Sequence, residues 1–206
     1  MVFTKTIYSI TVAIENLLVK RSIGASEYIF TTDFISWVIP VWERYLAEFK
    51  GKVNVSLLEI GSFEGRSTIW FLENILTHPT SSITCVDPFF RAEIRFDHNI
   101  KVSGHANQVK KIKGRSESVL RTLKESIFDI IYIDGSHRAL NVLMDAVSSW
   151  LLLKLGGIII FDDYGWKVER APEDRPKTAI DIFLKAFQPH IEILHRDYQV
   201  IIRRTS

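Results

Sequence analysis

The sequence predicts a doubly wound α/β fold: a seven-stranded sheet, mostly parallel, that closes with a C-terminal antiparallel hairpin. Three observations carry it. Aliphatic and β-branched runs alternate along the chain with helix-patterned segments, as in successive βαβ units. The central runs are nearly continuous in apolar residues, which marks strands covered on both faces. Four of the runs reach an acid at or beside their C-terminal end, at Glu59, Asp87, Asp134 and the pair Asp162–Asp163. Crossover handedness puts all those ends on one edge of the sheet, where ligands bind in open α/β folds.

The elements follow in order. "TTDFISWVIPVWERYLAEFKG" (31–51) reads as an amphipathic helix closed by Gly51. "VNVSLLEI" (53–60) is the first strand, followed by a helix from about Gly65 to Leu76. "SITCVD" (82–87) and "VKKIKG" (109–114) are strands, and residues 88–108 read as a long loop. "SVLRTLKES" is a helix, "FDIIYID" (128–134) a strand, and "RALNVLMDAVSSWLLLK" (138–154) a long helix. "GIIIFDD" (157–163) is an all-apolar strand, and 164–177 a second long loop. "KTAIDIFLKAF" is a helix after Pro176, and "IEILH" with "YQVIIRR" form the closing pair. Loops of that length in a compact domain favour a functional role. Residues 1–50 are expected to form an N-terminal helical cap of the same domain, and 51–206 the ligand-binding domain.

Composition narrows the function. A chain of 206 residues with 47% hydrophobic and 24% charged residues suits one well-buried domain. A net charge of +2 gives no electrostatic case for nucleic acid, and the basic stretch "VKKIKGR" reads as a solvated face. The single cysteine, Cys85, sits within a strand and reads as a small buried hydrophobe. Lys5 and Glu15 interrupt the N-terminal segment, arguing against a signal peptide. "WLLLKLGGIIIF" falls short of the ~20 apolar residues that cross a bilayer. The expectation is a soluble, cytoplasmic protein with no nucleic-acid or membrane partner, a small-molecule substrate, and room for a homo-oligomer.

The turn "EIGSFEG" raises the chemical question. Gly61 and Gly65 allow a tight turn and close approach of backbone to a ligand, ahead of a helix N-terminus. A dinucleotide fingerprint would need glycine where Phe63 and Arg66 stand, and no phosphate-cradling loop is present. An acid beside such a turn suits a positively charged ligand. Asp87 can accept hydrogen bonds from ribose hydroxyls, or simply form an Asp-Pro turn. Asp134, Asp162 and Asp163 leave neighbouring strands, so their oxygens can converge as a hard site for Mg²⁺ or a similar dication. His137, at the start of the next helix, can take a proton from a substrate hydroxyl. His98, Asn99, His105, Tyr164 and Trp166, in the long loops, are candidates for substrate contact.

In order, "LLEIGSFEGRST", "ITCVDPF", "IKGRSESVL", "FDIIYIDGSH" and "LGGIIIFDDY" span residues 57–164. This series resembles the class I S-adenosylmethionine-dependent methyltransferases, with a Rossmann-like sheet. It is most similar to their metal-dependent O-methyltransferase branch, which includes catechol and macrolide-sugar enzymes. The resemblance implies that Glu59, Gly61, Ser62, Gly65 and Ser67 line the methionine end of S-adenosyl-L-methionine. It implies that Asp87 holds the ribose, that Gly114, Arg115 and Ser116 border the adenine, and that Asp134 lies beside sulfonium and metal. A metal triad of Asp134, Asp162 and Asp163 holding Mg²⁺ follows by the same implication, and His137 as base. Some relatives instead place an acid two residues past the first metal ligand, where this chain has Ser136. The expected activity is methyl transfer to a hydroxyl of a sugar or natural product. Alternatives are a metal-independent methyltransferase, a non-catalytic cofactor-binding subunit acting through residues 1–50, and a Rossmann-like oxidoreductase, which Phe63 and Arg66 disfavour.

Overall fold

A computed structural model describes residues 27–206; the expectations for residues 1–26 lie outside the described residues. The elements are α1 (Ile39–Tyr45), β1 (Ser56–Ile60), α2 (Arg66–Asn74), β2 (Ser82–Asp87), α3 (Glu93–Ser103), β3 (Val109–Lys113) and α4 (Ser116–Val119). They continue with β4 (Phe128–Ile133), α5 (Ala139–Leu152), β5 (Leu153–Phe161), α6 (Pro176–Phe187), β6 (Ile191–Arg196) and β7 (Val200–Arg204). The seven strands form one sheet in the order β3-β2-β1-β4-β5-β7-β6. All pairings are parallel except β5–β7 and β7–β6, as the sequence predicts.

Period-two alternation divides the central strands between two cores. Leu57, Tyr132, Ile158 and Ile160 pack with Trp42 of α1, Phe71 of α2 and Phe96 of α3. Leu58, Ile60, Ile131, Ile133 and Phe161 face the other way, onto Val142 of α5 and Phe183 of α6. Each such side chain, removed from water, contributes roughly 1.5–3 kcal/mol. The strand order reverses between β1 and β4, and there the turns after the two strands lie side by side. Asp134 N–H donates to Ile60 O at 2.8 Å, and Gly61 N–H to Val86 O at 2.9 Å.

Two expectations about elements need correction. The helix expected over 31–51 shrinks to α1 and a short 3-10 turn at Ala47–Phe49. Pro40 lacks an N–H and sits in the first turn of α1, so the helix begins at Ile39 and not eight residues earlier. Upstream, Asp33 folds the chain into a turn by accepting from the Ile35 and Ser36 N–H groups at 3.2 and 3.0 Å. The loop expected over 88–108 contains the 11-residue α3. Its buried face includes Arg95, His98 and Asn99, and these polar positions erase the apolar periodicity.

Those polar residues tie residues 27–31 across the front of the domain. Asn99 exchanges hydrogen bonds with Ile29 N and O, and a His98 ring nitrogen stands 2.9 Å from Glu27 O. Glu64 accepts from Thr31 N and Oγ1, both at 2.7 Å, and pairs with Arg95 Nε at 2.5 Å. Glu64 and Arg95 are both buried. Replacing Glu64 by glutamine removes one charge of a buried pair and strands the other. The expected loss is about 3–5 kcal/mol, read as a lowered midpoint in chemical denaturation. A double change of Glu64 to glutamine and Arg95 to methionine should recover much of it; equal loss in both variants would contradict the pairing.

Candidate functional site

The turn after β1 is built by its neighbours. Gly61 has φ +89°, Phe63 +47° and Gly65 +81°, so the chain reverses through three left-handed residues. Asp87 holds it: Oδ2 accepts from the N–H groups of Ser62 and Phe63 at 3.0 and 3.1 Å, and Oδ1 from Phe89 N–H at 2.5 Å. The Asp87 carboxylate thus shapes the turn, and the residue lines both cavities beside it.

Glu59 lies behind the turn, fully buried, and not in the cavities. Its oxygens accept from Ser67 Oγ at 2.5 Å and from Thr68 Oγ1, with Cys85 Sγ at 3.5 Å. Burial pushes its carboxyl up from the ordinary range, against the pull of those hydroxyls. Its work in this structure is to pin the start of α2 to β1. Cys85 is buried as expected, and burial together with Glu59 pushes its thiol up, which suits an inert side chain.

Two cavities flank Gly61. The first, about 250 Å³, is lined by Val86, Asp87, Phe90, Arg115, Ser116, Gly135 and Asn141. The second, about 460 Å³, is lined by Asp87, Asp134, His137, Asp162, Asp163 and the aromatic residues Phe34, Trp37, Phe63, Trp166 and Tyr198. A small recess of about 40 Å³ beside the larger cavity is bordered by Thr32, Phe34, Ser62 and Ser67. Gly61 borders all three spaces. Gly114, expected at the adenine, lines none of these three spaces and donates its N–H to Asp87 O at 3.0 Å.

Asp134, Asp162 and Asp163 all line the larger cavity. Tyr132 OH lies 3.1 Å from Asp134 Oδ2 and bonds to Asp162 Oδ2. Asp163, at φ +60°, takes Tyr198 OH on Oδ1 at 2.8 Å and His137 Nε2 on Oδ2 at 2.7 Å. The His137 ring also packs against Trp166, with centroids 4.3 Å apart. Burial, then Asp162 and Asp163, push the Asp134 carboxyl well up. Burial and Asp163 raise Asp162 as well. The corner is thus short of positive charge.

Donor chemistry, three carboxylates and no sulfur, fits a hard dication. The oxygens are at present turned onto Tyr132, Tyr198 and His137. Among the described residues, no group of three His, Cys, Asp or Glu side chains already stands at ligating separation.

Of the loop candidates, Trp166 lines the larger cavity, and the others line none of these three spaces. His98 and Asn99 bind residues 27–29, His105 pairs with Gln108 at 2.9 Å, and Tyr164 is tied to Lys177, Asp181 and Arg196. Phe34, Trp37, Tyr132 and Tyr198 were not foreseen. Tyr132 had a legible signal, a polar-tipped residue two before Asp134 in an otherwise aliphatic strand.

Asp145 was also missed. It is buried on α5 beneath the first cavity, and burial lifts its carboxyl to about 6, opposed by Ser116 and aided by Glu117. A carboxyl raised above its ordinary 3.8 favours the fold while protonated, and that stability is lost as pH rises through about 6. Asp145→Asn should therefore stabilise the protein by roughly 2–3 kcal/mol at pH 8 and little at pH 4. Thermal melts across that range test it; a parallel shift at all pH values would refute it.

Residues 58–164 match the family model described as "Methyltransferase domain". An uncharacterized protein of Acanthamoeba polyphaga mimivirus is 32% identical over 156 residues, 70% of this chain and 68% of the relative. The fold is shared with an O-methyltransferase from Bacillus cereus in complex with SAH, at TM-score 0.68, 16% identity, and coverage of 93% of this chain and 90% of that one. A SAH-bound methyltransferase from Podospora anserina gives TM-score 0.62 at 22% identity, covering 83% and 77%. An rRNA methylase from Streptococcus thermophilus gives TM-score 0.62 at 12% identity, covering 84% and 100%. No described helix is long and apolar enough to cross a membrane.

Proposed function

The chain belongs to the methyltransferase-domain family, with the class I S-adenosylmethionine-dependent architecture, and we propose that it moves the methyl group to a hydroxyl of a small sugar or natural product with Mg²⁺ assistance. One observation carries the acceptor side: the cofactor turn and the His137–Asp163 pair face the same aromatic-walled cavity.

In this reading, the smaller cavity holds the adenosine half and the recess at Ser62 and Ser67 the methionine end. Asp87 faces both cavities, at the ribose. S-Adenosylmethionine, when bound, supplies a methyl group already activated on a sulfonium. The acidic corner at Asp134 suits that positive charge. Trp37, Phe63 and Trp166 wall the acceptor ring and exclude water, so orientation contributes most of the rate. His137 takes the hydroxyl proton on Nδ1, while Asp163, on Nε2, fixes the ring and stabilises the imidazolium formed. Asp134, Asp162 and Asp163 would hold Mg²⁺, which would lower the pKa of the acceptor hydroxyl.

The contact between His137 and Asp163 favours a second reading, in which that pair works without a metal. Thermal shift separates the two without any turnover. In the first reading, millimolar Mg²⁺ raises the melting temperature of the wild type but not of Asp162→Ala. No Mg²⁺-specific shift would leave the metal-independent pair. Methyl transfer from labelled S-adenosylmethionine to a panel of sugars, phenols and amines then tests the acceptor; product in the amines alone would overturn the hydroxyl assignment.

A further inference from the structure

We propose that the methyl acceptor carries an oxyanion, a carboxylate or a phosphate, at the end remote from the methylated hydroxyl, and that Lys167 and Arg170 at the rim of the larger cavity hold it. The inference rests on the reading that this cavity takes the acceptor.

Charge is divided across this cavity. Asp87, Asp134, Asp162 and Asp163 line it, and among the described residues no lysine or arginine does. A dication on the acids would still leave four carboxylates net negative. An anionic group on a ligand is repelled from that floor, most strongly where water is excluded. The rim has the opposite sign. The turn after Asp163 carries Trp166 in the cavity wall and then two cations, both placed over the indole. Lys167 Nζ stands 4.6 Å and Arg170 Cζ 5.0 Å from the ring centroid. Both residues are exposed, and neither has an acidic partner among the described residues; Glu169, between them in sequence, pairs with neither. Two like charges gathered over one ring repel each other, and an anion between them removes that cost.

The segment that carries them is pinned. Trp166 N–H donates to Asp163 O and Arg170 N–H to Lys167 O, each at 3.0 Å, which closes two successive turns. Tyr164 OH, bonded to Lys177, Asp181 and Arg196, anchors one end, and Arg175 Nη1, donating to Val168 O, anchors the other. Lys167 adopts φ +42°, a left-handed conformation that is strained for a residue with a side chain, and such strain gathers at ligand clamps. Trp166 joins the two ends of the site, because His137 packs on the same ring at a centroid distance of 4.3 Å. A hydroxyl at His137 and an anion at Lys167 and Arg170 are separated by little more than the indole. A compact hydroxy acid or a sugar phosphate spans that gap. The acidic floor and the basic rim then orient it, hydroxyl inward and anion outward.

Calorimetry on the S-adenosylhomocysteine complex tests this with two matched pairs: 3,4-dihydroxybenzoate against 3,4-dihydroxybenzamide, and glucose 6-phosphate against glucose. The charged member of at least one pair should bind about 10-fold tighter, and the pair that shows it tells a carboxylate from a phosphate. The double change Lys167→Gln and Arg170→Gln should abolish that preference while the neutral member and S-adenosylhomocysteine bind as in the wild type. Added salt should narrow it too, because both cations are exposed. Equal binding within both pairs, or a preference that survives the double change, would overturn this inference alone. Binding of none of the four ligands to a complex that holds S-adenosylhomocysteine would overturn it together with the acceptor reading of the cavity.

Discussion

Gly61→Ala should abolish cofactor binding and destabilise the protein by about 3 kcal/mol or more. Two independent costs combine. The residue sits at φ +89°, which an L side chain rarely adopts. A β-carbon there would also stand 2.1 Å from Asp134 O, 2.6 Å from Asp134 C and 2.8 Å from Gly135 Cα. All three are backbone atoms of the turn after β4, so no side-chain rotation relieves the clash. Relief requires the two turns to separate at the point where β1 and β4 part, which moves Asp87 and Asp134 from the positions given above. A loss of 3 kcal/mol corresponds to roughly 6–12 °C in melting temperature for a domain of this size. An alanine variant that melts within a degree of wild type and still binds S-adenosylhomocysteine would show that the turns are not in contact as described.

His137→Ala should lower kcat by about 10²–10⁴ while leaving S-adenosylhomocysteine affinity unchanged. The split follows from placement. His137 faces the larger cavity, and its ring contacts Asp163 and Trp166 rather than the smaller cavity. Its side chain is 47% exposed, so its removal should disturb stability little. Asp163→Asn should lower kcat too, because the carboxamide presents a weaker partner to the imidazolium. Equal kcat in wild type and His137→Ala, with cofactor binding intact, would remove the base from the mechanism.

Much of this was legible in the chain because strand burial on both faces leaves near-continuous apolar runs, and "FDIIYID" and "GIIIFDD" could be little else. Chain topology then put Asp87, Asp134, Asp162 and Asp163 on one edge without any knowledge of side-chain contacts. Glu59 shows where that inference stops. It lies on the right strand but points into the layer behind the turn, and a count from the motif gives no direction. Helix α3 was hidden because its inner face mixes Phe96 and Ile100 with Asn99, which binds Ile29 backbone, and Arg95, which pairs with Glu64. The aromatic wall was hidden for a related reason. Phe34 and Trp37 stand in an irregular segment whose course depends on Glu64 and Asn99, far away in sequence.

The most direct test of the account is calorimetric titration of S-adenosylhomocysteine into the full chain, repeated with Asp87→Ala. The account predicts one site per chain with micromolar affinity, and at least a tenfold loss in the variant, whose turn loses its carboxylate anchor. No binding by the wild type would contradict the placement of the cofactor beside Gly61. Equal binding by the two proteins would contradict the role given to Asp87.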